Sequence, residues 1–316
     1  MKKTLGFICI VVIVCLMVSC SGEPQKMTAE GSVRYLITRD YGKQIIADKD
    51  VSYYEGQTIM DGIMETGVEI ETAYEGGFIK SINGLESTAG GLTGERYDWF
   101  YYANGIFADT GALDYSPLPD DLIWWDYHAW KTAKGTSAVI GSFPEPFLHG
   151  YRGQVNDTII LAAAGKKEQA KDLQQLLVGL GVQKTKIEDL AEVFLEKRIG
   201  PTIVVGEWSE LSKSSWLKRF NDDGQDNGTF VRFTDKGIAA MDINGETAQE
   251  FTGSAGVIMA SGEGSGDASP LWIIAGTDQT GLAEALKIIH DEPEKITGTF
   301  SAIVFSGKVF RLPELR

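Results

Sequence analysis

The chain has 316 residues, 43% of them apolar, enough for two globular units that each bury a core. Its formal charge is −15, with 44 acids against 29 basic residues, which excludes nucleic acid or an anionic headgroup layer as a charge-driven partner. The three cysteines are Cys9, Cys15 and Cys20, so nothing beyond Cys20 supplies a disulfide, a thiolate ligand or a Cys nucleophile.

Met1-Lys-Lys-Thr followed by an apolar run from Leu5 to Val18 reads as a secretory leader. The run is shorter than the roughly 20 residues of a membrane span. It closes on Met17-Val-Ser-Cys20, which looks like a bacterial lipobox with Met17 in place of the usual Leu. The expectation is a signal peptide over 1–19, lipidation of Cys20, and a polar tether over 20–31. Acyl chains contribute about 0.8 kcal/mol per buried methylene. A multiply acylated Cys20 would therefore hold the protein firmly on the extracytoplasmic face of the cell membrane. Removing the leader takes away Lys2 and Lys3 and no acid, leaving the chain two charges more negative.

Val33–Asp40 and Lys43–Tyr54 alternate as a hairpin about Asp40-Tyr-Gly42. Thr58 then reads as a helix N-cap, with Asp61 in the first turn and Gly67 as the stop, and Ile59, Ile63 and Met64 face the sheet. Strands follow near 68–74, 77–83, 97–102 and 122–128. Four of the seven tryptophans fall between Trp99 and Trp130. Alternation sets Trp99 and Tyr101 on one face, Phe100 and Tyr102 on the other. One pair belongs to the core, and the other needs a reason to be aromatic. Asn83-Gly84, Asn104-Gly105 and Thr110-Gly111 read first as turns. His128 lies among Trp124, Trp125, Tyr127 and Trp130, where a neutral imidazole could ligate a metal, although hydrogen bonding is the simpler role.

The motifs Phe78-Ile-Lys-Ser-Ile-Asn-Gly-Leu, Trp99-Phe-Tyr-Tyr-Ala-Asn-Gly, Asp109-Thr-Gly-Ala-Leu-Asp-Tyr and Asp121-Leu-Ile-Trp-Trp-Asp-Tyr resemble the transcobalamin-like C-terminal domain family (DUF4430). The resemblance covers about residues 30–132 and implies an α+β β-grasp domain over 32–132. It also implies a corrinoid ligand, cobalamin or a relative, met by Phe78, Lys80, Trp99, Tyr101, Tyr102 and, at the strand end, Asn104. Tyr and Trp suit a corrin ring because each couples a broad apolar body to one polar tip. The eukaryotic relatives close an all-helical barrel over the ligand. This chain continues differently.

From about 137 to 316 strands and helices alternate, as in an α/β domain with a mainly parallel sheet. Strands are expected at 157–164, 201–206, 257–260, 271–276 and, last, 300–305, with a hairpin over 230–243. Helices are expected at 166–181, 212–220 and 282–290. Ser261-Gly-Glu-Gly-Ser-Gly-Asp267 superficially resembles a dinucleotide loop. It is acidic and leads into a strand, so it reads as a flexible connection. Gly276-Thr-Asp-Gln-Thr-Gly281 does run from strand into helix and could meet an anion, but it lacks the Lys of a P-loop.

The reading is a lipid-anchored corrinoid-binding protein that captures its ligand for a membrane vitamin importer, with the α/β domain as a possible opposite wall. The alternative is a surface module whose aromatic face takes a glycan, a peptide or a protein. No acid/base pair or nucleophile motif supports an enzyme, and no catalytic cofactor is implied.

Overall fold

The computed structural model describes residues 28–88, 96–130, 136–224 and 226–315. The leader, Cys20 and most of the tether lie outside them. No described helix is long and apolar enough to cross a membrane. The fold is mixed α+β, mostly sheet with few helices.

The first unit opens with β1 (Gly31–Arg39) and β2 (Gln44–Tyr53), the expected hairpin. Asp40, Tyr41 and Gly42 all adopt positive φ in its turn. Helix α1 (Ile59–Met64) follows, and Thr58 and Asp61 form a reciprocal capping box at its start. Ile59, Met60 and Ile63 face inward, whereas Met64 is 53% exposed. The expected inward face was thus wrong by one position, because a single short helix turn leaves i, i+1 and i+4 on the covered side. Next come β3 (Ile70–Ala73), β4 (Phe78–Ile82) and β5 (Leu85–Glu86), a small antiparallel sheet. Strands β6 (Arg96–Ala103), β7 (Ile106–Phe107) and β8 (Leu122–Trp130) complete a second sheet in the order β2-β1-β8-β6-β7. Asn83-Gly84 and Asn104-Gly105 hold positive φ at both positions, as their turn reading requires.

The odd-numbered side chains of the larger sheet, among them Tyr35, Ile37, Trp99, Tyr101, Ile123 and Trp125, pack under α1 and the β3–β5 sheet. The even-numbered ones, Leu36, Tyr102 and Trp124, join a core built mainly by the second unit. Both faces are therefore covered, which period-2 alternation alone does not reveal.

The second unit contains β9 (Thr158–Ala162), α2 (Lys167–Leu180), β10 (Thr185–Asp189), α3 (Glu192–Glu196), β11 (Thr202–Glu207), α4 (Trp208–Leu211) and α5 (Ser215–Asp222). It continues through β12 (Val231–Thr234), β13 (Gly237–Met241), β14 (Thr247–Thr252), β15 (Ala255–Ser261), β16 (Leu271–Gly276), α6 (Gln279–Asp291), a 3-10 turn (Pro293–Ile296), β17 (Ser301–Phe305) and β18 (Lys308–Leu312). The main sheet runs β10-β9-β11-β16-β15-β17-β18. Pairing is parallel from β10 to β16 and antiparallel from β16 to β18. The sheet is thus mixed rather than mainly parallel. A helix-free loop joins β15 to β16, and such a connection returns the chain antiparallel to its neighbour. β17 is not the last strand, since β18 pairs beside it. The expected helix over 212–220 is found as α5, which starts at Ser215 behind its Ser214 cap, and the short α4 before it was not expected.

Helices α2 and α6 cover one face of this sheet. The other face meets α4, α5, the β12–β14 sheet and the first unit. Phe300, fully buried, is the hub of that junction: its ring lies 5.0 Å from Tyr41, 5.1 Å from Trp124, 5.4 Å from His128 and 5.5 Å from Tyr102. Gly42 is required there twice over. Its φ is +77°, and a Cβ would sit 1.7 Å from the Gly298 carbonyl oxygen.

Candidate ligand-binding surface

Four of the six side chains expected to meet a ligand are internal. Trp99 is 6% exposed and donates its indole N–H to the Leu85 carbonyl at 2.9 Å, which ties β6 to β5. Tyr101 is equally covered, donates to the Thr110 carbonyl at 2.5 Å, and has its phenol pushed up to about 12 by burial. Tyr102 lies on the opposite face against Trp124 and Phe300, and complete burial raises its phenol too.

Asn104 is fully buried. Its amide donates to Asp121 at 2.7 Å and to the Gly150 carbonyl at 2.8 Å, while its oxygen accepts from the Leu122 N–H at 2.8 Å. It fixes the β6–β7 turn to the second unit, with both amide N–H groups committed and the whole side chain out of a ligand's reach. These positions are corrected from contacts to core and joint. An aromatic side chain that satisfies two packed sheets has no face left to offer.

His128 is likewise internal. Its ring stacks between Tyr41 at 4.2 Å and Phe100 at 4.5 Å, and its Nδ1 meets Asp126 at 2.7 Å. Asp126 also accepts from the Thr38 hydroxyl and from the backbone N–H groups of Tyr41 and Gly42. This is a structural clamp on the β1–β2 turn, and the hydrogen-bonded reading of His128 is the one observed.

Phe78 and Lys80 do reach solvent. Both point outward from β4, while Ile79 between them is buried. Phe78 is 37% exposed and stands edge-on to Tyr74, ring centroids 6.3 Å apart at 72°. Tyr74 is 85% exposed and holds φ +52°, an uncommon backbone state for a bulky side chain. Leu113, 40% exposed, lies beside the same hairpin tip, its Cδ1 3.8 Å from where a Cβ on Gly76 would stand.

Lys80 lies on the same outer face with Glu71 at 3.0 Å and Glu86 at 3.4 Å, and the hydrogen bond to Glu71 raises its ammonium above its ordinary range. The result is a small apolar surface with a polar, ion-paired margin. Sequence reasoning missed Tyr74 and Leu113. Tyr74-Glu-Gly-Gly77 reads as a turn, and an aromatic residue inside a turn was the available signal.

The helix-entry glycine stretch is self-satisfied. Asp278 caps α6 by accepting from the Gly281 N–H at 2.9 Å, which fills the place an anion would take. The loop 261–267, expected to be flexible, is pinned. Gly266 donates to the Phe107 carbonyl at 2.7 Å, and Asp267 accepts from the N–H groups of Glu263 and Ser269.

Residues 56–129 match the family described as Domain of unknown function (DUF4430). That segment holds the quoted motifs from Phe78 to Tyr127, so the resemblance drawn from them stands. No curated protein matches the chain. Among solved structures, haptocorrin in complex with Cbi is similar at 19% identity and a TM-score of 0.28, over 36% of this chain. The match takes in 28% of the haptocorrin chain, well under two thirds of its length.

Proposed function

We propose that the protein is a non-enzymatic, lipid-anchored binding protein of the extracytoplasmic membrane face, that its first unit is a β-grasp domain, and that this unit takes a corrinoid on the outer face of β3–β4. The observation that carries the reading is the exposed Tyr74–Phe78 pair beside Leu113 and Lys80, within the segment matched by the family. A corrin ring offers a broad apolar face fringed by amides. Aromatic rings would meet its face, and the Lys80, Glu71 and Glu86 margin would meet its edge.

Most of the second unit packs on the opposite face of the large sheet, and among the described residues it builds no lid over Tyr74, Phe78 and Lys80, which stay open to solvent. One face of the ligand then remains in water, which argues for modest affinity and for a second wall contributed by an importer. Closed pockets bury most of a ligand, and an open surface gives up part of that gain.

Calorimetric titration of the signal-free protein with cyanocobalamin and with cobinamide tests this. Micromolar binding, about −8 kcal/mol, weakened at least tenfold (about 1.4 kcal/mol) by Tyr74→Ala/Phe78→Ala, is the expected result. No heat with either corrinoid would sink the proposal and turn attention to glycan, peptide or protein partners for the same surface.

A further inference from the structure

A separate cleft of 380 Å³ opens where the two units meet. It is lined by Ser261, the last residue of β15, by Leu271, the first of β16, and by Phe107 from the first unit. One wall is aromatic. Trp216 and Phe220, one helical turn apart on α5, stack at 5.4 Å and 13° and are only half-buried, because Leu217 and Asn221 occupy the inward side of the helix. The remaining wall is acidic, with Asp223 and Asp226 following α5 and Glu263 from the pinned glycine loop.

Among the described residues lining the cleft, the buried cation is Arg198, and it is committed elsewhere. The Arg198 side chain is 5% exposed, donates to the carbonyls of Ser269 at 2.7 Å and Leu195 at 3.0 Å, and faces Asp267 and Glu263 at 3.5 and 3.4 Å. Asp223 and Asp226 enter no ion pair among the described residues.

We propose that this cleft binds a small organic cation, an alkylammonium whose apolar body rests on Trp216 and Phe220 and whose charge faces Asp223 and Asp226. Aromatic faces attract cations through their quadrupole, and carboxylates at the same opening favour positive over neutral ligands. The volume falls in the range of small-molecule sites, and the loop hydrogen bonds hold the wall in place before any ligand arrives. Corrinoid binding at the β3–β4 hairpin is not required for it, and neither result bears on the other.

The probe is choline, titrated into the full chain by calorimetry beside 3,3-dimethylbutan-1-ol, its uncharged carbon isostere. Choline is expected to saturate at a Kd of about 1 mM or tighter, with the isostere at least tenfold weaker. Asp223→Asn/Asp226→Asn should lose choline binding at least tenfold while melting at the parent temperature, because both side chains are exposed. Trp216→Leu should weaken both ligands. The proposal is overturned by absent or non-saturable choline binding, by equal affinity for the isostere, or by full retention in the double Asn variant.

Discussion

Replacing Asp126 by Asn probes the joint between the units, and its cost can be worked from four contacts. Oδ1 accepts from the Tyr41 N–H at 3.0 Å and meets His128 Nδ1 at 2.7 Å, while Oδ2 accepts from the Gly42 N–H at 2.8 Å and the Thr38 hydroxyl at 2.5 Å. Whichever way an Asn amide is turned, its NH2 faces one of the two backbone N–H donors. The imidazole can change tautomer and the hydroxyl can rotate, but a backbone donor cannot adapt.

One charge-assisted bond is lost, at about 1.5–3 kcal/mol, and one buried N–H is stranded, at about 1–3 kcal/mol. The expected loss is therefore about 3–5 kcal/mol. Asp48→Asn is the control. It breaks only the solvent-facing pair with Arg34 at 2.8 Å and should cost at most about 1 kcal/mol. Urea titration with matched slopes reads both variants. An Asp126→Asn loss no larger than that of Asp48→Asn would refute the account of the clamp.

The exposed double variant Tyr74→Ala/Phe78→Ala should stay within about 0.5 kcal/mol of the parent in the same assay. Trp99→Ala, which empties the space beneath β5, should lose about 3–5 kcal/mol. Gly281→Ala should destabilise by about 1–3 kcal/mol despite the better helix former, because its Cβ would stand 2.1 Å from the Ala255 carbonyl oxygen; thermal melting checks it.

Hydrogen bonds from the Trp216 N–H foremost, and from the Ser215 and Ser214 hydroxyls, hold the Glu192 carboxyl down to about 2 from an ordinary 4.5. Its folded pKa lies below the unfolded one, so its stabilisation is present above pH 4.5 and is lost as pH falls through 2. Glu192→Gln should flatten the acid limb of a stability-against-pH series in that window.

Local chemistry made much of the first unit legible. The Asn-Gly pairs, the Asp40–Gly42 turn and the Thr58 cap each carry their own backbone requirement, so a few residues suffice to place them. Alternation also sorted Trp99 and Tyr101 from Phe100 and Tyr102 correctly. What covers each face was not legible. The lid on the even face is Phe300 and its neighbours, nearly 200 positions further along the chain from Tyr102.

The same limit hid the antiparallel half of the large sheet. The apolar runs of β15 and β16 look alike whichever way they pair. The cleft escaped for a similar reason. Trp216 and Phe220 read as an ordinary helix face until Phe107 and the 261–267 loop are brought alongside.

Hydrogen–deuterium exchange with and without saturating cobinamide tests the central claim most directly, that ligand meets the outer face of β3–β4 and not the aromatic strand beneath it. Protection should rise in peptides spanning Ile70–Glu86, while β6, already covered on both faces, should exchange slowly and unchanged. Ligand-dependent protection confined to β6, or no change at Ile70–Glu86 under saturation, would contradict the account.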